Sequence, residues 1–177
     1  MDDTPADDVE VLHADIDREA GALARRLGAR ITCHRGCASC CVDGVTVFSV
    51  EADCIRNAAG SSLAGAVPAG PGVCAFLDTD GGCRIYEARP YVCRTQGLPL
   101  RWLDDESGEI VEYRDICPLN AHGRPIETLD ASDCWTIGPV EERLVHIQLG
   151  AGARQAERIG LRELFDELAA RRGGRRG

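Results

Sequence analysis

Between Cys33 and Cys41 the chain reads Cys-His-Arg-Gly-Cys-Ala-Ser-Cys-Cys, four thiols within nine residues. Neighbouring Cys40 and Cys41 cannot close a disulfide on each other without a strained ring. The chemistry such a stretch suits is metal ligation. A thiolate is the form that binds, and a cation beside it lowers the thiol pKa enough to hold it deprotonated. Without the cation, four thiolates would repel one another and four thiols would be open to oxidation. Single cysteines recur at Cys74, Cys83, Cys93 and Cys117, each in a turn-like setting. That is the arrangement required if separate loops fold back to complete a coordination shell, so the candidate metal ligands are Cys33, Cys37, Cys40, Cys41, Cys74, Cys83, Cys93 and Cys117.

Spacing narrows the metal. A zinc finger or ribbon takes two short knuckles, each offering two ligands to one tetrahedral ion, and only Cys37-x2-Cys40 has that form. Sulfurs that arrive singly suit a cluster whose irons are approached from several directions, and Cys117-Pro118 is a pairing also met in ferredoxin ligation. Iron as an iron–sulfur cluster is therefore preferred, with zinc the alternative, because all-thiolate shells serve both. Arg84, Arg89 and Arg94 flank the second cysteine group and are candidate cofactor-binding residues: guanidinium groups stabilise an anionic thiolate site and donate to sulfur. Equally, Arg89 could tie down a helix turn through Glu87 or a carbonyl. His34 and His122 lie near cysteines and could each replace a sulfur, whereas His13 and His146 fall on helical stretches and read as packing. A Cys–His catalytic pair would leave most of the thiols unexplained. No Gly-rich phosphate loop or dinucleotide fingerprint is present.

Three strings carry a family likeness. Cys33-x3-Cys37-x2-Cys40-Cys41, Cys74-Ala-Phe-Leu-Asp and Cys83-Arg-Ile-Tyr-Glu-Ala-Arg-Pro-Tyr-Val-Cys93-Arg94 resemble the bacterial CxxCxxCC family of zinc- or iron-chelating cysteine-cluster proteins. The likeness runs from Cys33 to Arg94, and Cys117-Pro-Leu-Asn is similar to an extension in some members. One departure is the extra residue between Cys33 and Cys37. The resemblance implies metal or iron–sulfur binding more strongly than any reaction. Some members are flagellin lysine methylases associated with an iron–sulfur cluster, so an iron–sulfur-dependent enzyme of redox or group transfer is one alternative function. A switch cycling thiols and disulfides is another.

The elements that must position these sulfurs are short. Val9, Leu12, Ile16, Ala20, Leu23 and Leu27 repeat at helical spacing, acidic at the start, basic at the end, and stopped by Gly28. Val45, Val47 and Phe48 suggest a strand leading into a helix capped by Ser49, with Cys54 inside it as a small buried hydrophobe. Residues 60–72 read as a loop. Asp80-Gly81-Gly82 predicts a reversal that sets Cys74 beside Cys83, and Pro90 opens a short helix carrying Cys93. Leu100 to Tyr113 form a hairpin with Trp102, Ile110 and Tyr113 available for packing. Pro125 to Ile137 is loop around Cys134-Trp135, and 139–149 and 154–170 read as helices. The fold class expected is α+β: a small, loop-rich single domain with an irregular cysteine-ligated core and short strands, packed by an N-terminal helix and two C-terminal helices. Residues 1–7 are expected to be disordered, 8–171 to form the metal-binding domain, and 172–177 to be a flexible basic tail.

Composition bounds the partners. With 177 residues, a net charge of −9 and no lysine, the chain lacks the clustered cations that nucleic-acid backbones require. No nucleic acid or membrane partner is expected, and no protein partner can be named. The acidic start has no secretory pattern, which points to a reducing cytoplasm, where ten cysteines serve as ligands, reactive thiols or small hydrophobes rather than disulfides. Aromatics are 5% of the chain, so the core is thin enough for a bound metal to matter for stability.

Overall fold

The first helix starts earlier than its apolar stripe. In the computed structural model, which describes residues 4–34, 36–106, 108–154 and 157–171, α1 spans Pro5–Leu27. Thr4 caps it: the hydroxyl accepts from the Asp7 N–H at 3.3 Å, and the Asp7 carboxylate accepts from the Thr4 N–H at 2.9 Å. With this capping box and proline in the first turn, the helix reaches into the segment expected to be disordered. Residues 1–3 and the expected basic tail, 172–177, lie outside the described residues. At the other end Gly28 takes φ +57, as the stop at Leu27 requires. The stripe Val9, Leu12, Ile16, Ala20 and Leu23 is buried against Phe48, Tyr91, Trp135 and Leu144.

A short strand β1 (Thr46–Phe48) leads into α2 (Ser49–Ala59). Ser49 is the first helical residue and not the expected cap. Its N–H and hydroxyl both donate to buried Gln148 Oε1 at 2.9 Å, and the Glu51 carboxylate accepts the Phe48 N–H instead. After a long loop come α3 (Tyr91–Thr95) and the hairpin of β2 (Leu100–Glu106) and β3 (Glu109–Asp115). Trp102 faces Tyr113 in register and stacks on it, with centroids 5.6 Å apart. Ile110, expected to pack, is 75% exposed near the hairpin tip.

Two segments differ from their sequence reading. Trp135–Thr136, expected as loop, forms β4, parallel to β2 and anchored by the Trp135 N–H on the Pro99 carbonyl at 2.7 Å. Of the stretch 154–170, expected as one helix, the described residues are helical only as α5 (Leu161–Ala170), after α4 (Gly138–Gly150) and the strand β5 (Arg158–Gly160). β5 pairs antiparallel with β1. The open edge of β1 offers Arg158 and Ile159 ladder bonds, and Gly160 is a poor helix former.

Two cores result. The first joins α1, α2 and α4; the second packs Phe76 and Ile85 against Ile55, Leu164, Phe165 and Leu168. The molecule is a small α+β domain. Among the described residues no helix is long and apolar enough to cross a membrane.

Arg56 of α2 clamps Glu167 of α5 at 2.6 Å, and this guanidinium holds the Glu167 carboxyl down at about 2. Its stabilisation is present above the ordinary carboxylate value of 4.5 and is lost as pH falls towards 2. Because both groups are partly exposed, Glu167→Gln should cost only about 0.5–1 kcal/mol at pH 7. Melting curves of the two proteins should converge near pH 2.

Candidate metal centre

The sulfurs are brought together by backbone bonds more than by regular structure. Tight turns carry the first group: the Cys37 N–H donates to the His34 carbonyl at 3.0 Å, and that of Cys41 to Ala38 at 2.9 Å. A bridge between Val42 and Val73, with the Cys74 N–H on the Cys41 carbonyl at 3.0 Å, lays Cys74 beside Cys41. The Asp80-Gly-Gly reversal forms, its N–H groups gathered by the Asp78 carboxylate, but its register sets Cys83 opposite Leu77 and not Cys74. Cys74 is one turn further back, its carbonyl accepting from the Leu77 N–H at 3.1 Å. Cys93 arrives on α3, whose first N–H, from Tyr91, donates to the Glu51 carboxylate at 2.6 Å.

Cys33, Cys37, Cys40, Cys41, Cys74, Cys83 and Cys93 line one cavity of about 210 Å³. Cys117 is buried outside the cavity lining. It is tied to Cys33 through Asn120, whose N–H donates to the Cys117 carbonyl at 2.8 Å and whose Nδ2 donates to Cys33 Sγ at 3.1 Å. Cys54 and Cys134 also lie outside the cavity. Cys54 packs on the first core, where burial lifts its thiol to about 11, and Cys134 is buried beside Trp135. All ten cysteines are free thiols.

Burial dominates the electrostatics of the cavity. It raises the thiols of Cys33, Cys74 and Cys83, and takes Cys93 up to about 12. Cys40 is the exception, held down at about 6 by a hydrogen bond from the Cys41 thiol, which is itself pushed up by giving it.

The arginines divide. Arg89 and Arg94 line the cavity and share Asp17 of α1, at 3.2 and 2.5 Å. Their remaining bonds go to the carbonyls of Tyr86, Glu87 and Arg89, which brace the turn before Cys93. Arg84, expected beside the sulfurs, instead donates to the Val67 carbonyl and lies over the Phe165 ring. Of the histidines, His34 lines the cavity. His122 faces the carbonyls of Leu119 and Ala29, and His13 is buried against Glu51 at 3.0 Å.

Sequence reasoning passed over Glu51, Asn120 and Arg162. Glu51 is 2% exposed and serves the Tyr91 and Phe48 N–H groups as well as His13. Its place on the apolar face of α2, four before Ile55, was the available signal. Asn120 is fully buried; its Oδ1 accepts from the Thr32 N–H and hydroxyl, which fixes its Nδ2 towards Cys33 and the Gly97 carbonyl. Arg162 reaches from α5 to Asp43 and the carbonyls of Ala69, Gly70 and Val73, stapling the loop that precedes Cys74. No local pattern marked it.

Gly97 closes this side. It sits at φ +94, and a Cβ there would overlap the Cys33 sulfur. Gly97→Ala should cost about 2 kcal/mol between backbone strain and overlap. A lowered urea midpoint and faster alkylation of Cys33 would register it.

Among the described residues, no three His, Cys, Asp or Glu side chains close on one point as a single ion's shell requires. The sulfurs ring a space instead. Against known families, residues 32–118 match the model of CxxCxxCC, described as "Putative zinc- or iron-chelating domain". Residues 32–118 belong to the CxxCxxCC family. The match extends past Arg94 to take in Cys117, and gives this CxxCxxCC domain the role of chelating zinc or iron. No curated protein and no solved structure matches the chain.

Proposed function

We propose that this CxxCxxCC domain binds iron in iron–sulfur form, its ligands drawn from Cys33, Cys37, Cys40, Cys41, Cys74, Cys83, Cys93 and Cys117. The observation that carries the reading is the seven-cysteine cavity of about 210 Å³. A donor set made of sulfur suits zinc or iron–sulfur and not the oxygen-seeking calcium or magnesium. Between those two, the number of sulfurs favours the cluster: one zinc takes four thiolates, and seven line the cavity. Bound there, a cluster supplies a one-electron redox couple. Arg89 and Arg94, on the cavity wall, would offset the negative charge of a bound thiolate centre, and Cys93 would be a ligand on its buried side.

The test is anaerobic purification followed by iron, zinc and acid-labile sulfide analysis and a visible spectrum. Iron with matching sulfide and broad thiolate-to-iron absorption is expected. Zinc alone, in a colourless protein, would overturn the preference for iron. Cys40→Ser and Cys83→Ser should each lower metal content and melting temperature together, while Cys54→Ala leaves metal content unchanged. Equal metal loss from all three would overturn the ligand set.

A further inference from the structure

We infer that the eight sulfurs hold two metal centres, Cys33, Cys37, Cys40 and Cys117 forming one and Cys41, Cys74, Cys83 and Cys93 the other. This rests on the metal-binding reading above and deepens it. Four thiolates saturate a tetrahedral zinc or a four-iron cluster, so eight are twice what one centre takes.

The backbone sorts them into the same halves. Cys41, Cys74 and Cys83 are joined in series by the Val42–Val73 bridge, the Cys74-to-Leu77 turn and the Leu77–Cys83 bridge. Cys33 directly precedes the turn that the Cys37 N–H closes on the His34 carbonyl, and Asn120 ties Cys33 to Cys117. Asn120 is fully buried and held at both ends of its amide, so its bond to Cys33 Sγ is built into the fold. Cys40 follows Cys37 at the two-residue spacing of a metal knuckle, which places it with the first group and leaves Cys93, on the cavity wall with Cys74 and Cys83, to the second. The doubled cysteine is thus the seam, giving one sulfur to each side. The division also accounts for Cys117, which is outside the cavity yet adjacent to Cys33, and for the extra residue before Cys37, which belongs to a centre with its own spacing.

The experiment is metal and sulfide content per chain for the full-length protein, purified anaerobically, beside the double variants Cys33→Ser/Cys117→Ser and Cys83→Ser/Cys93→Ser. Each variant should keep half of the wild-type complement. Loss of all metal from either folded variant, or a full complement in Cys33→Ser/Cys117→Ser, would overturn the two-centre assignment while leaving metal binding intact. Wild-type protein that holds neither zinc nor iron would overturn both readings. Should a variant not fold, wild-type protein titrated with EDTA or phenanthroline decides, with alkylation of each cysteine followed by mass spectrometry. Cys33, Cys37 and Cys117 should lose protection at one chelator concentration and Cys74, Cys83 and Cys93 at another, and a single common step would overturn the assignment. Asn120→Ala should sensitise only the first set.

Discussion

Removing metal with a chelator under reducing conditions is expected to lower the melting temperature of this domain by about 10 °C or more. Structural zinc contributes about 10–16 kcal/mol of apparent binding energy, against a net stability of about 5–15 kcal/mol for an ordinary domain. If about 4 kcal/mol of that reaches the folding equilibrium, a chain of this size shifts by roughly 10 °C. The segments that carry the sulfurs have little else to order them: turns, single bridges and a five-residue helix. Differential scanning with and without chelator measures the shift, and an unchanged transition would mean that the two apolar cores hold these loops unaided.

The pH dependence should change sign with metal. In the metal-free chain the buried Cys93 thiol, raised from 9.0 to about 12, favours the folded state while protonated. That contribution is fully present below 9 and is lost as pH rises from about 9 towards 12. With metal bound the same thiols must give up their protons, so affinity weakens as pH falls, by about tenfold per unit for each proton released. Stability of the metal-bound form should therefore rise with pH up to about 9, whereas that of the metal-free form should fall between about 9 and 12.

Glu51→Ala is expected to be the most damaging single substitution away from the sulfurs, costing about 3 kcal/mol. The carboxylate is 2% exposed and satisfies His13 and the N–H groups of Tyr91 and Phe48. Alanine would leave three buried donors without a partner. The consequence reaches the candidate metal centre because Tyr91 opens α3, and Cys93 follows two residues later on that helix. Metal content should fall together with the urea midpoint. Glu51→Gln, which keeps an acceptor for Tyr91, should retain most of both. A Glu51→Ala protein of wild-type stability but reduced metal would instead make Glu51 a residue of the centre itself.

Periodicity made the helices and first strand legible, because burial of one face imposes its spacing on the chain. The stripe from Val9 to Leu23 needed no tertiary knowledge, nor did the stop at Gly28. Pairing partners were not legible in the same way. Trp135–Thr136 and Arg158–Gly160 become strands because Pro99 and Val47 offer them a partner, and a ladder bond leaves no trace in either segment alone. The side chains followed the same rule. Arg89 and Arg94 reach the cavity edge because Asp17 of α1 draws them there, while Arg84, of the same type and in the same string, is held by Val67 and Phe165.

By itself, then, the sequence determined the donor chemistry: clustered thiols are a chemical fact of composition and spacing, and they select soft metals whatever the fold. Only the tertiary structure decided which sulfurs share a cavity, that Cys117 stands beside Cys33 through Asn120, and that the carboxylate beneath α3 is Glu51. Convergence depends on contacts between residues tens of positions apart, and those are set by how the two cores pack rather than by local order.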